Sequence, residues 1–540
     1  MENNENNVTN NTTNNEEEVL KTEGAKSKKF NTIIIIVIIL LIISISAFAY
    51  FAIVDKKDST PKKEEVKSES KYSEYRLSGN SLEEFDLYFL KLENEKENKV
   101  YSPLSIKYAL GMLNEGTSGE SKEQVSNILG TYNSKKYINS ENMSFANALF
   151  IRDLYKDDVK DSYVNTISNK YNAEVFYDSF ATPDVLNSWV SDKTFNLIDN
   201  MYDDISEHDF ILVNSLAIDM EWVNKIQSEH EDYIVNYAHE KFSSYISALD
   251  CSDYSRLEFK DLPYKAKAVE FGAVINKYDI VNVLGEDNIR ETVKEAYKKW
   301  QAGDSEYGCG AGSANSLDVD SYLDKYIKEI NQGYKDISSS TDFSFHVDDN
   351  VKVFAKDLKE YNGTTLQYIG IMPKNENLDN YISNIKASDI NNLINELKTI
   401  ELNNFKDGVI TEVYGYIPMF KFDYELNLMD DLKKLGVTDI FDPNKADLSN
   451  LTKEDSFIND TSHKANIEFS NEGIKAAATT AVGGKGNASC EFDYLYDVPV
   501  EKIDLTFDNP YLFLIRDKDS GEVWFVGTVY EPIEFHSFYE

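Results

Sequence analysis

An α+β fold is predicted for most of this chain on three observations: helical and strand-like apolar patterns alternate in long stretches from Leu77 onward, one segment opens on a helix-capping signature, and the C-terminal region carries a hairpin signature. The first helix is predicted over 81–92, where Ser-x-x-Glu precedes Leu82, Phe85, Leu87, Phe89, Leu90 and Leu92. The hairpin is predicted from segments 509–515 and 522–529, both rich in β-branched and aromatic residues and separated by Asp517-Lys-Asp-Ser-Gly.

Ahead of the folded part lie three segments of different character. Residues 1–29 are Asn- and Glu-rich without apolar periodicity and read as a disordered tail. Residues 30–54 contain no charge and include IIIIVIILLIISIS, bracketed by Lys28, Lys29, Lys56 and Lys57, so a single transmembrane helix is expected. Ala47-Phe48-Ala49 resembles a signal-peptidase site, but the apolar run is long and its leader long and acidic, which favours an uncleaved anchor. Lysines on both flanks leave the orientation undecided by charge. Residues 55–76 form a Lys/Glu/Ser-rich stalk.

The folded part reads as 77–222, a block 223–342 of different character, and 343–540. The block holds two helical patterns, 288–303 and 321–334, on either side of Gly308-Cys-Gly-Ala-Gly-Ser, and is expected to be an inserted subdomain.

Composition excludes several function classes. With 55 Lys+Arg against 94 Asp+Glu the net charge is -39, which repels nucleic acid; simple solubility accounts for the acidity equally well. Three cysteines, Cys251, Cys309 and Cys490, supply no CxxC motif, and whether Cys251 pairs with Cys309 is open. No G-x-S-x-G, HExxH or P-loop motif occurs, so no catalytic role is expected. His208, His230 and His239 each neighbour Asp or Glu, but their spacing fits no helical ligand pair, and neither metal nor cofactor is expected.

A colinear set of segments resembles the serpin family. It comprises Tyr101-Ser-Pro-Leu-Ser-Ile, Ala109-Leu-Gly-Met-Leu, Gly116-Thr-Ser-Gly, Gln124, Phe145-Ala-Asn-Ala-Leu-Phe, Tyr171-Asn-Ala-Glu-Val, Asn187-Ser-Trp-Val-Ser-Asp-Lys-Thr and Val213-Asn214 with Trp222. Beyond the block come Ile371-Met-Pro, Ile417-Pro-Met-Phe, Leu435-Gly-Val-Thr-Asp-Ile-Phe, Ser462-His-Lys-Ala, Asn471-Glu-Gly and Asn509-Pro-Tyr-Leu-Phe-Leu-Ile-Arg-Asp. The resemblance implies three β-sheets wrapped by helices and an exposed reactive loop, here within 471–500. A serine or cysteine protease cuts this loop, becomes acylated by it, and is trapped as the cut loop inserts into the main sheet.

The loop has a composition suited to insertion. Every second residue from the hinge, namely Ile474, Ala476, Ala478, Thr480, Val482, Gly484 and Gly486, is small or β-branched and uncharged, while the alternate register carries Lys475 and Lys485. The hinge comprises Glu472, Gly473, Ile474, Ala476, Ala477, Ala478 and Thr479. On composition alone, the same stretch is equally a flexible surface loop. Two departures from the family stand out: Asn471 replaces a usual Glu, and Ile474 a usual Thr or Ser. The loop is also longer than usual, so counting from the hinge puts the scissile bond at Asn487-Ala488, counting back from Pro510 puts it near Val500, and Lys485-Gly486 and bonds around Cys490 are rivals.

By resemblance, Ser102, Ser105, Asn214 and His463 form a hydrogen-bond cluster that controls sheet opening, and Trp222 packs where the loop joins the sheet. The expected whole is a monomeric, single-pass membrane protein with its inhibitory domain outside the cytoplasm. The rival is a non-inhibitory binding or adhesion protein acting through 223–342.

Overall fold

A computed structural model describes residues 73–93, 95–226, 228–235, 264–304, 318–330, 334–470, 492, 494 and 498–533. The expected transmembrane helix, the hinge and Asn487-Ala488, and all three cysteines lie outside these residues, and no helix within them is long and apolar enough to cross a membrane.

In chain order the first half runs through α1 (Glu84–Leu92), β1 (Lys99–Tyr101), α2 (Pro103–Gly116), α3 (Gly119–Leu129), β2 (Met143–Arg152), α4 (Asp161–Tyr171), β3 (Glu174–Asp178), α5 (Asp184–Lys193) and β4 (Phe210–Ile218). Next come β5 (Ser228–Val235), β6 (Tyr264–Tyr278), α6 (Ile280–Leu284), α7 (Glu286–Gln301), α8 (Val319–Ile330) and β7 (Tyr334–Ser339). The second half adds β8 (Ser344–Val347), β9 (Val351–Asp357), β10 (Leu366–Pro373), α9 (Leu378–Asn384), α10 (Ala387–Asn395), β11 (Lys398–Thr399), β12 (Val409–Pro418), β13 (Phe420–Asn427) and α11 (Leu428–Lys434). It ends on β14 (Ser462–Phe469), β15 (Val500–Asp504), β16 (Tyr511–Asp517) and β17 (Val523–Val529).

The helix predicted from Ser81 starts three residues later. Glu83 takes the cap position, its backbone N–H donating to Asp86 Oδ2 at 2.9 Å, while its own carboxylate turns back to accept from the Ser78 N–H at 2.8 Å. A capping pair at Glu83 and Asp86 thus replaces the one expected at Ser81 and Glu84. Asp86 also meets Lys107 of α2 at 2.6 Å, both side chains wholly buried, tying α1 to the central helix. The C-terminal hairpin is present as β16 and β17, antiparallel with a bulge at Ile515/Arg516.

Helix α2 is buried on almost every face because sheets and helices cover it all round. A Cβ at Gly111 would stand 2.9 Å from the Tyr171 hydroxyl of α4, so glycine permits the close approach of these two helices.

The strands form four ladders among the described residues. Seven pair in the order β1-β17-β16-β10-β9-β8-β11, and β15-β12-β6-β5 form a second sheet with β7 on β6. The main sheet expected as one unit is instead two, β3-β2-β4 and β13-β14. The block 223–342 contains two kinds of structure: β6 pairs with β12 from Ala268↔Pro418 to Lys277↔Val409, so the second sheet runs through it, whereas α6, α7 and α8 close around a small core of their own with Ile289, Val293, Trp300 and Leu323.

Candidate functional site

The backbone of β4 is bonded to β2 alone and that of β14 to β13 alone among the described residues, which leaves two strand edges with unused N–H and C=O groups. A seam joins them. At one end a cavity of about 390 Å³ lies between Phe210–Leu212 and Ile458–Thr461, floored by Ile106, Ala109 and Leu113 of α2. A smaller one of about 60 Å³ follows between Asn214 and Ser215 on one side and His463 and Ala465 on the other. A third, about 220 Å³, lies between Ile218 and Asp219 and residues 466–468. Residue numbers rise together on both sides, so β4 and β14 run in the same direction. A segment that leaves β14 and folds back between them is antiparallel to both, the geometry of a β-hairpin.

Polar atoms along the seam lack partners. Asn214 Oδ1, Ser215 Oγ, Thr461 Oγ1, Asn466 Oδ1 and both ring nitrogens of His208 are buried without a hydrogen bond among the described residues. Each such group costs about 1–3 kcal/mol.

Of the five residues grouped in advance, Ser102, Ser105, Asn214 and His463 line the small middle cavity together. Ser102 caps α2, its side chain accepting from the Ser105 N–H at 3.1 Å, with Pro103 at the first helical position, where a missing N–H is harmless. The Ser102 N–H donates to His463 Nε2 at 2.9 Å, so the neutral ring carries its proton on Nδ1. Burial pushes the His463 pKa down to about 4. Asn214 Nδ2 donates to Asn147 Oδ1 at 2.7 Å, and Asn147 Nδ2 donates to the Tyr171 carbonyl at 2.8 Å, which fixes Asn214 from the β2 side. Asn147 was not singled out from the sequence, although it sits inside the quoted Phe145-Ala-Asn-Ala motif.

Trp222 stands apart from this cluster, at the other end of β14. It is fully buried, donates from Nε1 to the Ser470 carbonyl at 3.2 Å, and packs edge-on against Phe469 and Tyr368. Ser470 lies seven positions on from His463, about 23 Å along a strand. Lys356 Nζ lies 5.9 Å from the Trp222 ring and pairs with Asp342 at 2.6 Å; burial holds its pKa below the usual lysine range against the pull of that carboxylate. Trp222 therefore grips the residue just before Asn471, where the expected reactive loop begins.

On the far side of the loop, Val500 pairs with Ile410 in β15, parallel to β12. The scissile position reached by counting back from Pro510 thus falls in a bonded strand.

A family model described as Serpin (serine protease inhibitor) matches residues 84–271 and 336–532. An uncharacterized serpin-like protein of Methanosarcina acetivorans is 23% identical over 490 residues, 85% of this chain and 87% of that one. Human leukocyte elastase inhibitor is 38% identical over 122 residues, 22% of this chain and 30% of its own length. Among solved structures, the thermophilic serpin tengpin in its native state superposes with a TM-score of 0.53 at 21% identity, covering 85% of this chain and 93% of that one. Thyroxine-binding globulin in complex with thyroxine gives 0.54 at 16% identity over 86% and 99%.

Proposed function

The chain belongs to the serpin (serine protease inhibitor) family, and from that premise we propose that it inhibits serine or cysteine endopeptidases by suicide trapping, on the outer side of a membrane that residues 30–54 cross. The observation that carries this reading is the seam: two strand edges running the same way, with buried polar atoms unmatched among the described residues, and a small-residue segment of the right alternation that starts where β14 ends. The protease nucleophile attacks a carbonyl of the loop, the C-terminal fragment leaves as an amine, and the acyl-enzyme ester, or thioester for a cysteine nucleophile, remains on the N-terminal fragment. That fragment turns at the hinge and fills the seam, gaining backbone hydrogen bonds on both edges and burying Ile474, Ala476, Ala478, Thr480 and Val482. About 15 inserted residues move the ester roughly 50 Å. The uncut form persists because its barrier is kinetic.

A second reading has its own support: α6–α8 form a separate small core, and a fold relative binds thyroxine, so the block 223–342 as a ligand or partner site is the alternative. Incubating the full chain with a panel of serine and papain-like proteases decides between them on denaturing gels. Inhibition gives a covalent complex and a released C-terminal peptide whose mass fixes the scissile bond. Clean cleavage by every protease, with no complex, leaves the binding reading standing.

A further inference from the structure

The helical unit α7–α8 and the unusual length of the reactive loop meet at one side chain. Phe492 lies beyond every scissile position counted forward from the hinge, yet it is only 4% exposed. Its ring sits 5.1 Å from Tyr297, 5.7 Å from Trp300 and 5.3 Å from Tyr322, in the middle of the α7–α8 core. Two residues on, the Tyr494 N–H donates to the Tyr322 hydroxyl at 3.0 Å and its ring packs 5.8 Å from Tyr326. From Val500 the chain is bonded into β15.

We propose that α7–α8 is a clamp on the C-terminal side of the reactive loop, with Phe492 as its anchor, and that this clamp keeps the uncut loop out of the seam. The proposal rests on the inhibitory reading above. The physical argument is one of chain length. An uncut loop fixed at Ser470 and at Phe492 must travel down the seam and return, so its 21 intervening residues (492 − 470 − 1) divide between two limbs and at most about half can insert. Were the chain free to Val500, 29 residues (500 − 470 − 1) would be available, and β15 could then peel away to lend more. Cleavage on the amino side of Phe492 abolishes the return limb, and the whole N-terminal segment becomes insertable. Phe492 is thus a positioning residue: it makes the cut, rather than thermal opening, the trigger. The same geometry restricts productive scissile bonds to the segment before Phe492, because a cut beyond it leaves the inserting fragment held by the clamp.

The test uses the uncut full chain held just below its melting transition, with intact mass, melting temperature and complex formation followed in time. Phe492→Ser should convert to an uncut, higher-melting, inactive form at least about tenfold faster than wild type, a barrier change of about 1.4 kcal/mol. Phe492→Leu, which restores apolar burial, should return the rate towards wild type, and Tyr322→Phe, which deletes only the hydroxyl bonded to Tyr494, should fall between. Destabilisation of a merely structural kind lowers the melting temperature and produces no hyperstable uncut form. Equal conversion rates in Phe492→Ser and wild type overturn the clamp while leaving inhibition intact, provided cleaved wild type gains stability. If cleaved wild type gains none, the inhibitory reading itself fails and the clamp with it. Should Phe492→Ser not fold, a wild-type conversion rate in Tyr322→Phe overturns the proposal.

Discussion

His463 offers a quantitative handle on the seam, because the hydrogen bond it accepts and its burial fix its protonation state. Nε2 already accepts the Ser102 N–H, so a second ring proton must break that bond and leave a charge in a buried site. Burial brings the folded-state pKa to about 4 from an ordinary 6.5. The sign follows: below pH 6.5 the unfolded chain takes up a proton that the native protein refuses, so stability falls as pH drops from about 6.5 to about 4 and this contribution is flat outside that window. At 1.36 kcal/mol per unit, the 6.5 to 4 interval amounts to about 3 kcal/mol. Urea unfolding of the uncut chain across that window gives wild-type profiles in which carboxylates also titrate. Subtracting the profile of His463→Gln, which cannot titrate and retains an acceptor for Ser102, isolates the histidine. The difference should grow by about 3 kcal/mol between neutral pH and the acid end of the window. Parallel profiles would refute the buried, neutral histidine, and with it the polar lock at the centre of the seam.

Other expectations follow from the same geometry. Ala478→Asp places a charge on the face of the loop that turns inward on insertion, so the loop should still be cut while covalent complex is lost; Ala477→Asp, in the opposite register, should leave complex formation near wild type, and gel stoichiometry against one protease compares the two. Trp222→Ala empties a fully buried site and should cost about 3–5 kcal/mol in denaturant unfolding, whereas Trp222→Phe, losing chiefly the bond to Ser470, should cost about 1 kcal/mol.

What could be read from the chain was mostly local. The C-terminal hairpin followed from its spacing, whereas the residues placed around the seam were named only through the family resemblance. Position 81 misled because two capping pairs, Ser81 with Glu84 and Glu83 with Asp86, compete for one helix start, and Asp86, pulled inward by Lys107, decides it. The split of the main sheet could not be read, since β4 and β14 are separated by more than two hundred residues and nothing in either strand states that its edge is unpaired among the described residues. The block read as starting at 223 rested on two helical patterns around a Gly-rich loop, but β6 within it is bonded along β12, and the family match runs on to 271 before resuming at 336. Phe492 passed unnoticed for a related reason: in sequence it is one aromatic in a loop extension, and its partners at 297, 300 and 322 lie in the block read as foreign. An overlong loop and a helical insertion in one chain were the available signal, and they became meaningful only once brought together.

The central claim is that the seam between β4 and β14 is the slot for the cut loop, and amide hydrogen exchange of the uncut and loop-cleaved chain tests it most directly. The account predicts that cleavage before Phe492 slows exchange along Phe210–Ile218 and Ser462–Phe469 together, as both edges gain a hydrogen-bonded neighbour, with a rise in melting temperature. Unchanged exchange on both strands after complete cleavage would contradict it.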